Sequence, residues 1–494
     1  MKVSIQSLAA GGAAFGTSGV RGTVEALTDR VCFAYSAAFL QALGGRLEGQ
    51  EGGRTVAVGY DLRPSSPRMT TACIAACQAE GARALLCGAL ATPALAHYAL
   101  SRGVPAIMVT GSHIPFDRNG IKFYTGAGEI SKEDEIAISE AVISVDETAF
   151  EEGRLRNPPS IPAVDGSARE LYRDRYLRTF RPGLLAGRRI GVYQHSSVAR
   201  DLLSEVLQAL GAKVVELGRT DTFVPVDTEA VSADTEELAR SWTLEHALDA
   251  LVSTDGDADR PLVGDETGTL LRGDIVGLLS AQFLRARTVV TPVSSNTALE
   301  RTRAFDCVLR TRIGSPYVIA AMSDAARRGG APVVGYEANG GFLLFSDVEL
   351  HTPSAEGRLS ALPTRDALLP ILALLAQAAD QGVTLSRMRE SLPPRHTASD
   401  RLADFPTARS RQLLHLLAGS AVELSGFFAE LGKIAEVNRL DGLRVTLESG
   451  DIVHLRPSGN APELRCYAEA STRERAVELS RWGLRAANER SRLP

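Results

Sequence analysis

Apolar residues follow two alternating periods along this chain. Short runs rich in valine and isoleucine alternate with longer stretches in which alanine and leucine recur at helical spacing, and this predicts an α/β protein. Three predicted strands, at 54–61, 189–195 and 288–293, each lead to hydroxyl residues and then to a helical stretch. Because serine accepts hydrogen bonds from the free amides of a first helical turn, we expect these hydroxyl groups to be N-caps. They are Ser65, Ser66, Ser196, Ser197, Ser294 and Ser295.

The three stretches continue in the same way, which indicates an internal repeat. A second short strand is predicted in each, around 84–86, 213–216 and 307–310. A third apolar strand then runs into a polar loop, at 110–113, 255–257 and 337–340. Polar loops are common at that edge of any α/β sheet. Because ligands bind at the carboxyl ends of strands in open α/β sheets, we expect the three loops to face one cleft.

The C-terminal part has a different pattern. Apolar residues alternate at 443–447 and 451–455, with a turn at 448–450, which predicts two antiparallel strands. A strand at 463–469 and a helix from about Thr472 follow. This part is expected to be an α+β domain, joined to the rest by a linker near 391–395.

The length of the chain predicts its number of domains, and its net charge limits the ligands it is expected to bind. The 494 residues predict three or four domains at about 150 residues each. Lys plus Arg is 54 and Asp plus Glu is 59, giving a net charge of −5. The chain has no excess of basic residues, so it is not expected to bind nucleic acid. Local arginines could still hold a small anionic ligand.

Cysteine usage and hydropathy point to a soluble cytoplasmic protein. The six cysteines form no CxxC pair, so a disulfide scaffold or a thiolate zinc site is not expected. The most apolar window, 367–379, is too short for a membrane span of about 20 residues and contains Pro370. The N-terminal residues show no apolar core of the signal-peptide type.

The acidic loop (255–260) is a candidate metal site. Asp255, Asp257 and Asp259 stand at alternate positions, so on an extended loop their carboxylates can converge on one cation, Mg²⁺ or Ca²⁺. An EF-hand is disfavoured, because the sixth loop position is Arg260 rather than glycine. Arg260 adds a fixed cation suited to an anionic ligand.

Ser112, in the serine loop (110–115), is a candidate nucleophile. The loop lacks the GxSxG pattern of a hydrolase elbow, and a lone serine at a strand end is commonly a cap or turn hydroxyl. The acidic loop and Lys122, in the segment 119–122, favour a chemical role. A serine near a divalent cation and cationic side chains suits phosphoryl transfer.

Two further segments could bind anions. Residues 15–22 form a glycine-containing loop with Arg21, and the C-terminal loop (456–460) combines Arg456, Ser458 and Gly459. Guanidinium, hydroxyl and backbone N–H groups together can hold a phosphate, although either segment alone could be an ordinary turn. The chain has neither a P-loop nor a strand-associated GxGxxG, so nucleotide binding is not supported.

Together these motifs resemble the α-D-phosphohexomutases, the family of phosphomannomutase, phosphoglucomutase and phosphoglucosamine mutase. The serine loop with 119–122 is similar to the family's phosphoserine loop, and the acidic loop is similar to its Mg²⁺ loop. The glycine-rich loop (335–341) is similar to the sugar-binding loop, and the C-terminal loop is similar to the phosphate-binding loop. The resemblance extends over nearly the whole chain, with the motifs in the family's order.

The resemblance implies four domains around a central cleft, three with related mixed α/β sheet cores and a C-terminal α+β domain. We place them at 1–155, 156–275, 276–392 and 393–494. It also implies that Ser112 is phosphorylated in the active enzyme. Ser112 would transfer its phosphoryl group to a hexose phosphate, and a hexose 1,6-bisphosphate would form as the intermediate.

The resemblance further assigns roles to individual residues. Charge and proton transfer fall to Arg21, His113, Lys122 and Arg260. Mg²⁺ is held by Asp255, Asp257, Asp259 and a phosphoserine oxygen of Ser112. Substrate contacts fall to Glu337, Asn339, Arg312, Gly314, Arg456, Ser458, Gly459 and Asn460. No nucleic acid or membrane partner is implied.

Three positions depart from the family pattern. Ile114 replaces a usual asparagine, Gly341 replaces a frequent histidine that could act as general acid or base, and Asn460 replaces the commoner threonine. We expect phosphomannomutase activity with substantial phosphoglucomutase activity, and rank phosphoglucosamine mutase third. A metal-dependent phosphatase and a non-catalytic sugar-phosphate sensor are the alternatives.

Overall fold

We describe the protein from a computed structural model, which describes residues 1–16, 19–47, 54–458 and 462–491. The first sheet and its helices are formed from the N-terminal third of the chain. The elements are β1 (Lys2–Ser4), α1 (Ile5–Ala10), β2 (Ala14–Phe15), β3 (Val20–Thr23), α2 (Asp29–Leu43), β4 (Thr55–Tyr60), α3 (Ser66–Ala79), β5 (Arg83–Ala89), α4 (Thr92–Arg102), β6 (Ala106–Val109), β7 (Arg118–Thr125), β8 (Gly128–Glu129), α5 (Lys132–Glu140), β9 (Val142–Ser144), β10 (Phe150–Glu151) and β11 (Arg154–Leu155).

The second and third sheets follow in the chain. The second stretch contains α6 (Ser167–Leu177), β12 (Arg189–Tyr193), α7 (Arg200–Ala209), β13 (Lys213–Leu217), α8 (Ala233–Glu245), β14 (Ala250–Thr254), β15 (Pro261–Gly264) and β16 (Leu270–Leu271). The third contains α9 (Gly273–Phe283), β17 (Thr288–Pro292), α10 (Ala298–Arg301), β18 (Cys307–Thr311), α11 (Ser315–Arg327), β19 (Val333–Tyr336), β20 (Phe342–Leu344), β21 (Val348–His351), β22 (Glu356–Leu359), β23 (Leu362–Asp366), α12 (Leu368–Gln381) and α13 (Leu385–Glu390).

The C-terminal sheet is antiparallel throughout, in the order β24-β28-β27-β26-β25. Its elements are β24 (His396–Leu402), α14 (Thr407–Gly419), α15 (Ala421–Phe427), β25 (Ile434–Asn438), β26 (Leu443–Leu447), β27 (Ile452–Pro457), β28 (Leu464–Ala470) and α16 (Arg473–Arg490). The alternation of buried and half-buried residues along β26 is the pattern that predicted this antiparallel sheet.

The first three sheets share one strand order, which confirms the predicted α/β repeat. In each, the first strand lies between two parallel partners, and the third strand pairs with an antiparallel fourth. The orders are β5-β4-β6-β7, β13-β12-β14-β15 and β18-β17-β19-β20. The serine loop, the acidic loop and the glycine-rich loop each connect the third strand of a sheet to its fourth. The repeat therefore places these loops at equivalent positions.

The longest apolar segment of the sequence becomes the buried helix α12. It is apolar on nearly every face because it packs against α9 and β15, inside a core shared by the first three sheets. Pro370 lies in its first turn, where a backbone N–H has no helical acceptor, so the proline does not break the helix. In the described part of the chain, no helix has the length and hydropathy needed to cross a bilayer.

The prediction that the serine pairs cap the helices was wrong. Ser65 stands at the N-cap position of α3 but makes no capping hydrogen bond, and Ser66 Oγ instead donates to Asp61 Oδ1 at 2.5 Å. Polar groups at the strand ends lie closer to these hydroxyls than the helix amides do. The equivalent contacts are Ser197 with Thr254 at 2.6 Å and Thr291 with Ser295 at 2.7 Å.

Asp366, at the end of β23, connects α6 to α12, and its loss should destabilise the fold. Its carboxylate accepts hydrogen bonds from the hydroxyls of Tyr172 (2.6 Å) and Tyr176 and from the Leu368 amide (2.9 Å). Asp366→Ala leaves these donors buried and unpaired, so we expect a loss of about 3 kcal/mol in unfolding free energy. Thermal and chemical denaturation would measure it, with the exposed Asp400→Ala as control. Equal stability of the two variants would contradict this role.

Candidate active site

The serine loop leaves β6 and places Ser112 in a left-handed backbone conformation, with φ of 54°. Ser112 is 1% exposed, and its Oγ donates a hydrogen bond to Asp255 Oδ2 at 2.6 Å. Gly256 permits this approach, because a Cβ there would lie 2.8 Å from the Ser112 carbonyl oxygen. A non-glycine residue in this conformation costs about 1–3 kcal/mol and persists only where its neighbours fix it. The first and second repeats therefore meet at Ser112.

Arg63 is the residue that fixes the serine loop. Its Nη1 donates to the carbonyl oxygens of Pro115 at 2.7 Å and Arg118 at 2.9 Å. Its Nη2 donates to those of Ser112 at 3.0 Å and Ile114 at 2.5 Å. One guanidinium thus satisfies carbonyl groups on both sides of the turn and holds the strained residue in place.

Asp61 and Phe223 hold Arg63 in turn. The Asp61 carboxylate lies 3.3 Å from Arg63 Nε and accepts hydrogen bonds from Thr110 Oγ1 at 2.8 Å and the Gly111 amide at 3.2 Å. The Phe223 ring, which belongs to the second repeat, lies 4.0 Å from the Arg63 guanidinium carbon. Gly111 is required because a Cβ there would lie 2.7 Å from that carbon.

The acidic loop brings its three carboxylates together in the interior. Asp255, Asp257 and Asp259 are buried, and one oxygen from each lies within 4.8 Å of the others. The loop is shaped by Asp255 Oδ1, which accepts the backbone N–H groups of Asp259 at 3.1 Å and Arg260 at 3.2 Å. Ala258 adopts a left-handed conformation with φ of 58°. The three carboxylates therefore converge as predicted, but on a turn rather than on an extended loop.

Cations from the first, second and third repeats balance these carboxylates. Lys122 Nζ, on β7, lies 2.7 Å from Asp257 Oδ2 and 2.6 Å from Asp259 Oδ2. Arg365 Nη2, on β23, lies 2.8 Å from the same Asp259 oxygen. Arg260 Nε is 3.5 Å from Asp259 Oδ1. Buried charges are tolerated only when they are paired in this way.

The pKa shifts follow from this arrangement. Burial and the neighbouring carboxylates of Asp259 and Asp257 raise the pKa of Asp255 well above its usual value. Burial alone would raise the pKa of Asp259, but Arg365, Lys122 and Arg260 lower it below its usual value. Burial would lower the pKa of Lys122, but its two carboxylate partners raise it. Asp259 is therefore anionic and Lys122 cationic.

The remaining carboxylate oxygens fit a hard divalent cation. Among the described residues, Asp257 Oδ1 and Asp259 Oδ1 are buried and accept no hydrogen bond. Asp255 Oδ2 accepts the Ser112 hydroxyl at 2.6 Å and lies 4.0 Å from Arg260 Nε. Buried polar atoms without partners are costly unless a ligand or ion completes the site, and oxygen donors are what Mg²⁺ and Ca²⁺ prefer. The acidic loop therefore has the carboxylate oxygens needed for a divalent metal site.

His113 is held as a neutral imidazole. Its Nδ1 lies 2.9 Å from Arg260 Nη1 and 3.3 Å from Ser112 Oγ. Since a guanidinium only donates hydrogen bonds, Nδ1 must be the acceptor, and the ring proton is on Nε2. Burial, with Arg260 and Arg21 nearby, lowers the pKa of His113 far below its usual value.

Arg21 lies on β3, opposite Gly120 of β7 and close to the same charges. Burial and the positive charges of Arg260 and Arg365 lower its pKa to about 10, so it remains cationic at neutral pH. The predicted cations Arg21, Lys122 and Arg260 and the predicted ligands Asp255, Asp257 and Asp259 thus lie in one cluster with Ser112 and His113.

The glycine-rich loop reaches this cluster through Glu337. Glu337 Oε2 lies 3.4 Å from Arg365 Nη1. Asn339 turns back on its own loop, where its Oδ1 accepts the Gly341 amide at 2.9 Å, and its carbonyl oxygen accepts the Thr228 hydroxyl at 2.7 Å. Glu337 and Asn339 are both buried, and the third repeat joins the other two here.

Arg312 and Arg456 lie at a different place, where the β18–α11 loop meets the C-terminal sheet. Arg312 Nε donates to the Leu440 carbonyl oxygen at 3.1 Å. Asp441 Oδ2 accepts the Ile313 amide at 2.9 Å and lies 3.0 Å from Arg456 Nε. The contacts therefore assign these two arginines to a junction between the third repeat and the C-terminal domain.

The C-terminal loop borders a cavity with a cationic lining. Gly314, just before α11, adopts φ of 130°. Ser458 in the C-terminal loop is buried, and its amide donates to the Glu463 carbonyl oxygen at 2.9 Å. A cavity of about 500 Å³ lies beside this loop. Its charged lining comprises Arg411, Arg439 and Arg456, together with Asp441, which pairs with Arg456. Gly459 and Asn460, which the sequence assigns to the same loop, lie outside the described residues.

Sequence motifs did not identify three residues that build this site. Asp61 and Arg63 follow β4 before α3, and Arg365 is the next-to-last residue of β23. A charged pair directly after an apolar strand was the available signal for Asp61 and Arg63. Arg365 gave no signal, because it reaches the acidic loop from a strand more than a hundred residues later in the chain.

Comparison with known proteins agrees with this architecture. The sequence matches domain families described as Phosphoglucomutase/phosphomannomutase, alpha/beta/alpha domain I at residues 12–149, domain II at 175–268 and domain III at 272–396. The C-terminal domain of the same description matches residues 420–480.

Curated relatives match over nearly their whole length. A phosphomannomutase of Sinorhizobium fredii is 45% identical, covering 97% of this chain and 99% of the relative. A phosphomannomutase of Salmonella muenchen is 45% identical, covering 94% and 93%. A phosphoglucosamine mutase of Parafrankia is 29% identical, covering 94% and 97%. The crystal structure of a phosphoglucomutase/phosphomannomutase family protein from Burkholderia thailandensis has the same fold, with a TM-score of 0.74, 21% identity and 98% coverage of both chains.

The carbonyl contacts of Arg63 predict that its loss releases the serine loop. Arg63→Ala should remove the donor from the carbonyl oxygens of Ser112 and Ile114, so amide hydrogen exchange across 110–118 should become faster. Exchange measured by mass spectrometry would show this, with the exposed Arg83→Ala as control. Unchanged exchange in that segment would mean that other contacts fix the loop.

Proposed function

Because the chain belongs to the phosphoglucomutase/phosphomannomutase family, we propose that it interconverts hexose 6-phosphate and hexose 1-phosphate through a phosphoserine at Ser112, with mannose phosphate as preferred substrate. The observation that carries this proposal is the 2.6 Å hydrogen bond between the hydroxyl of Ser112 and Asp255. It places a nucleophilic oxygen inside a buried cluster of carboxylates and fixed cations, as phosphoryl transfer requires.

The reaction is proposed to pass the phosphoryl group twice. In the first transfer the bond between phosphorus and Ser112 Oγ breaks while a hydroxyl oxygen of the hexose phosphate bonds to phosphorus. The hydroxyl of the sugar loses one proton and Ser112 Oγ gains one as it leaves as an alcohol, so no net proton is released or consumed. The resulting hexose 1,6-bisphosphate turns over in the cleft, and its other phosphoryl group returns to Ser112.

The side chains around Ser112 supply charge rather than covalent chemistry. Lys122, Arg21 and Arg260 are cations that can stabilise the negative charge on the transferred phosphoryl oxygens. Neutral His113 Nδ1 lies 3.3 Å from Ser112 Oγ and keeps Arg260 oriented by accepting its hydrogen bond at 2.9 Å. Closure of the cleft keeps water away from the phosphoserine, which favours transfer to the sugar over hydrolysis.

We propose Mg²⁺ as the cation of the acidic loop. Asp255, Asp257 and Asp259 would hold it, together with an oxygen of phosphorylated Ser112. A few carboxylates completed by phosphate oxygens are the usual environment of Mg²⁺ in proteins. When bound, the ion would neutralise charge on the phosphoryl group.

The substrate's two ends are proposed to bind at the two clusters. Glu337 and Asn339 would contact sugar hydroxyls, while Arg312, Gly314, Arg456 and Ser458 would hold the phosphate that is not reacting. The cationic cavity beside the C-terminal loop supports this, because it offers Arg411 and Arg439 in addition to Arg456. Gly459 and Asn460 remain predictions from the sequence, as does the cytoplasmic location.

The proposal of mannose phosphate as the preferred substrate rests on the similarity to the relatives. The relatives named phosphomannomutase match this chain more closely than those named phosphoglucosamine mutase. Mannose and glucose phosphates differ only at the C2 hydroxyl, for which we identify no dedicated buried partner. A site without such a partner discriminates weakly, so glucose phosphate should also be a good substrate.

Steady-state kinetics with three substrates test this proposal. We expect the highest kcat/KM for mannose 1-phosphate, a value within about tenfold for glucose 1-phosphate, and a lower value for glucosamine 1-phosphate. A preference for the amino sugar above about 100-fold, or about 2.7 kcal/mol, would overturn the ranking. Release of inorganic phosphate without isomerisation would identify a phosphatase, and neither reaction would indicate a sensor.

The phosphoserine assignment predicts a specific change of mass. Intact-mass spectrometry of the purified protein should show a fraction carrying one phosphate, and Ser112→Ala should lack that fraction and lose mutase turnover. Ser391→Ala, an exposed serine at the end of α13, is the matched control. Near-wild-type turnover in Ser112→Ala would exclude Ser112 as the phosphoryl carrier.

Metal removal should abolish activity, because the buried carboxylates would repel the phosphoryl group without a cation. Dialysis against excess chelator should stop isomerisation of glucose 1-phosphate, and added Mg²⁺ should restore it. Calorimetry should show Mg²⁺ binding to the wild type and not to Asp257→Ala. Full activity in excess chelator would show that the acidic loop needs no metal.

A further inference from the structure

Arg365 lies between two loops that the proposed function assigns to different tasks. Its side chain is 5% exposed, with Nη2 at 2.8 Å from Asp259 Oδ2 and Nη1 at 3.4 Å from Glu337 Oε2. Burial alone would lower the pKa of Arg365, but the carboxylates of Asp259 and Glu337 raise it well above its usual value. The guanidinium is therefore a permanent cation that bridges the acidic loop and the glycine-rich loop.

The strand that carries Arg365 is anchored on both sides of it. Thr364 Oγ1 donates to Glu129 Oε1 of the first repeat at 2.8 Å. Asp366 accepts hydrogen bonds from the hydroxyls of Tyr172 (2.6 Å) and Tyr176, which lie on α6. The Arg365 backbone is thus fixed by its neighbours, and its side chain has a defined starting point.

The glycine at position 341 leaves room for this arginine. A Cβ on Gly341 would lie 2.6 Å from Arg365 Cδ and 2.9 Å from Cγ. Gly340 adopts a left-handed φ of 89°, whereas Gly341 does not adopt a conformation that favours glycine. The space taken by Arg365, rather than backbone conformation, therefore accounts for Gly341. In the family pattern, a histidine that could act as general acid or base is frequent at this position. In the structure, the Arg365 side chain occupies the space that a side chain at position 341 would take.

The charge balance of the site depends on Arg365. In the described part of the chain, the carboxylates of Asp255, Asp257, Asp259 and Glu337 face the cations Arg21, Lys122, Arg260 and Arg365. Without Arg365, Asp259 and Glu337 would lose the cation that pairs with both of them. For Glu337 this is the cation nearest to its carboxylate, so a buried charge would be left without its partner.

We propose that Arg365 is a positioning residue that couples the glycine-rich loop to the acidic loop. It holds the Glu337 carboxylate in place to receive sugar hydroxyls. It also holds Asp259 Oδ2, which leaves Asp259 Oδ1 for the cation. Because both loops share one guanidinium, sugar binding and Mg²⁺ binding are coupled, and each strengthens the other by the same factor. This inference rests on the proposed mutase function.

Four variants of the full-length protein test this coupling. Arg365→Met removes the charge, Arg365→Lys keeps it without the fork, and Gly341→Ala displaces the arginine without changing it. Tyr176→Phe is the matched control, since it removes a hydrogen bond to Asp366 on the same strand. For each, KM and kcat for mannose 1-phosphate, and Mg²⁺ binding by calorimetry with and without mannose 1-phosphate, are measured.

Arg365→Met should raise KM and the Mg²⁺ dissociation constant by about tenfold each, within the usual range of coupling between sites. In this variant the sugar phosphate should no longer strengthen Mg²⁺ binding. Gly341→Ala should change both constants in the same direction, and Arg365→Lys should recover part of the loss. Tyr176→Phe should lower the melting temperature without changing either constant.

Unchanged KM and Mg²⁺ affinity in both Arg365→Met and Gly341→Ala would overturn the proposal. Equal effects in Tyr176→Phe would do so too, because they would reduce Arg365 to a structural role. If Arg365→Met does not fold, Gly341→Ala and Arg365→Lys decide the question. Absence of mutase activity in the wild type would contradict the proposed function. Calorimetry of Mg²⁺ binding with and without mannose 1-phosphate would still measure the coupling between the two loops.

Discussion

The burial of three aspartates on one short loop is the constraint on which this structure depends. Carboxylates removed from water cost several kcal/mol each unless cations and hydrogen-bond donors compensate them. The acidic loop contributes only Arg260, so Lys122 must come from the first repeat and Arg365 from the third. Assembly of the three repeats around one point is thus required by electrostatics as well as by the shared apolar core.

This constraint also accounts for the position of Ser112. A hydroxyl that donates to Asp255 at 2.6 Å must be brought across the boundary between two repeats, and the backbone there is strained. Arg63 stabilises this strained backbone by donating hydrogen bonds to carbonyl oxygens along the turn. The Phe223 ring, from the second repeat, covers the Arg63 guanidinium. Ser112 is therefore positioned by side chains that bind or cover the backbone of its loop. The C-terminal domain contributes a second cationic region, which suits the two phosphate groups of the proposed bisphosphate intermediate.

Much of the fold was predictable because each repeat carries a local pattern of strand, helix and polar loop. The convergence of Asp255, Asp257 and Asp259 was predicted for an extended loop, whereas the structure achieves it on a turn in which Ala258 is left-handed. The roles of Arg63 and Arg365 were not predictable, because they act on loops far away in the sequence. The serine pairs were misassigned as caps because sequence cannot show that strand-end polar groups, such as Asp61, compete for the same hydroxyls.

A crystal structure of Ser112→Ala with Mg²⁺ and mannose 1,6-bisphosphate tests the central claim most directly. The account predicts an ion bounded by the carboxylates of the acidic loop, one phosphate beside Lys122 and Arg21, and the other beside Arg456. It also predicts that Arg365 still bridges Asp259 and Glu337 in that complex. A bisphosphate bound away from the acidic loop, or an ion held by other residues, would contradict the account.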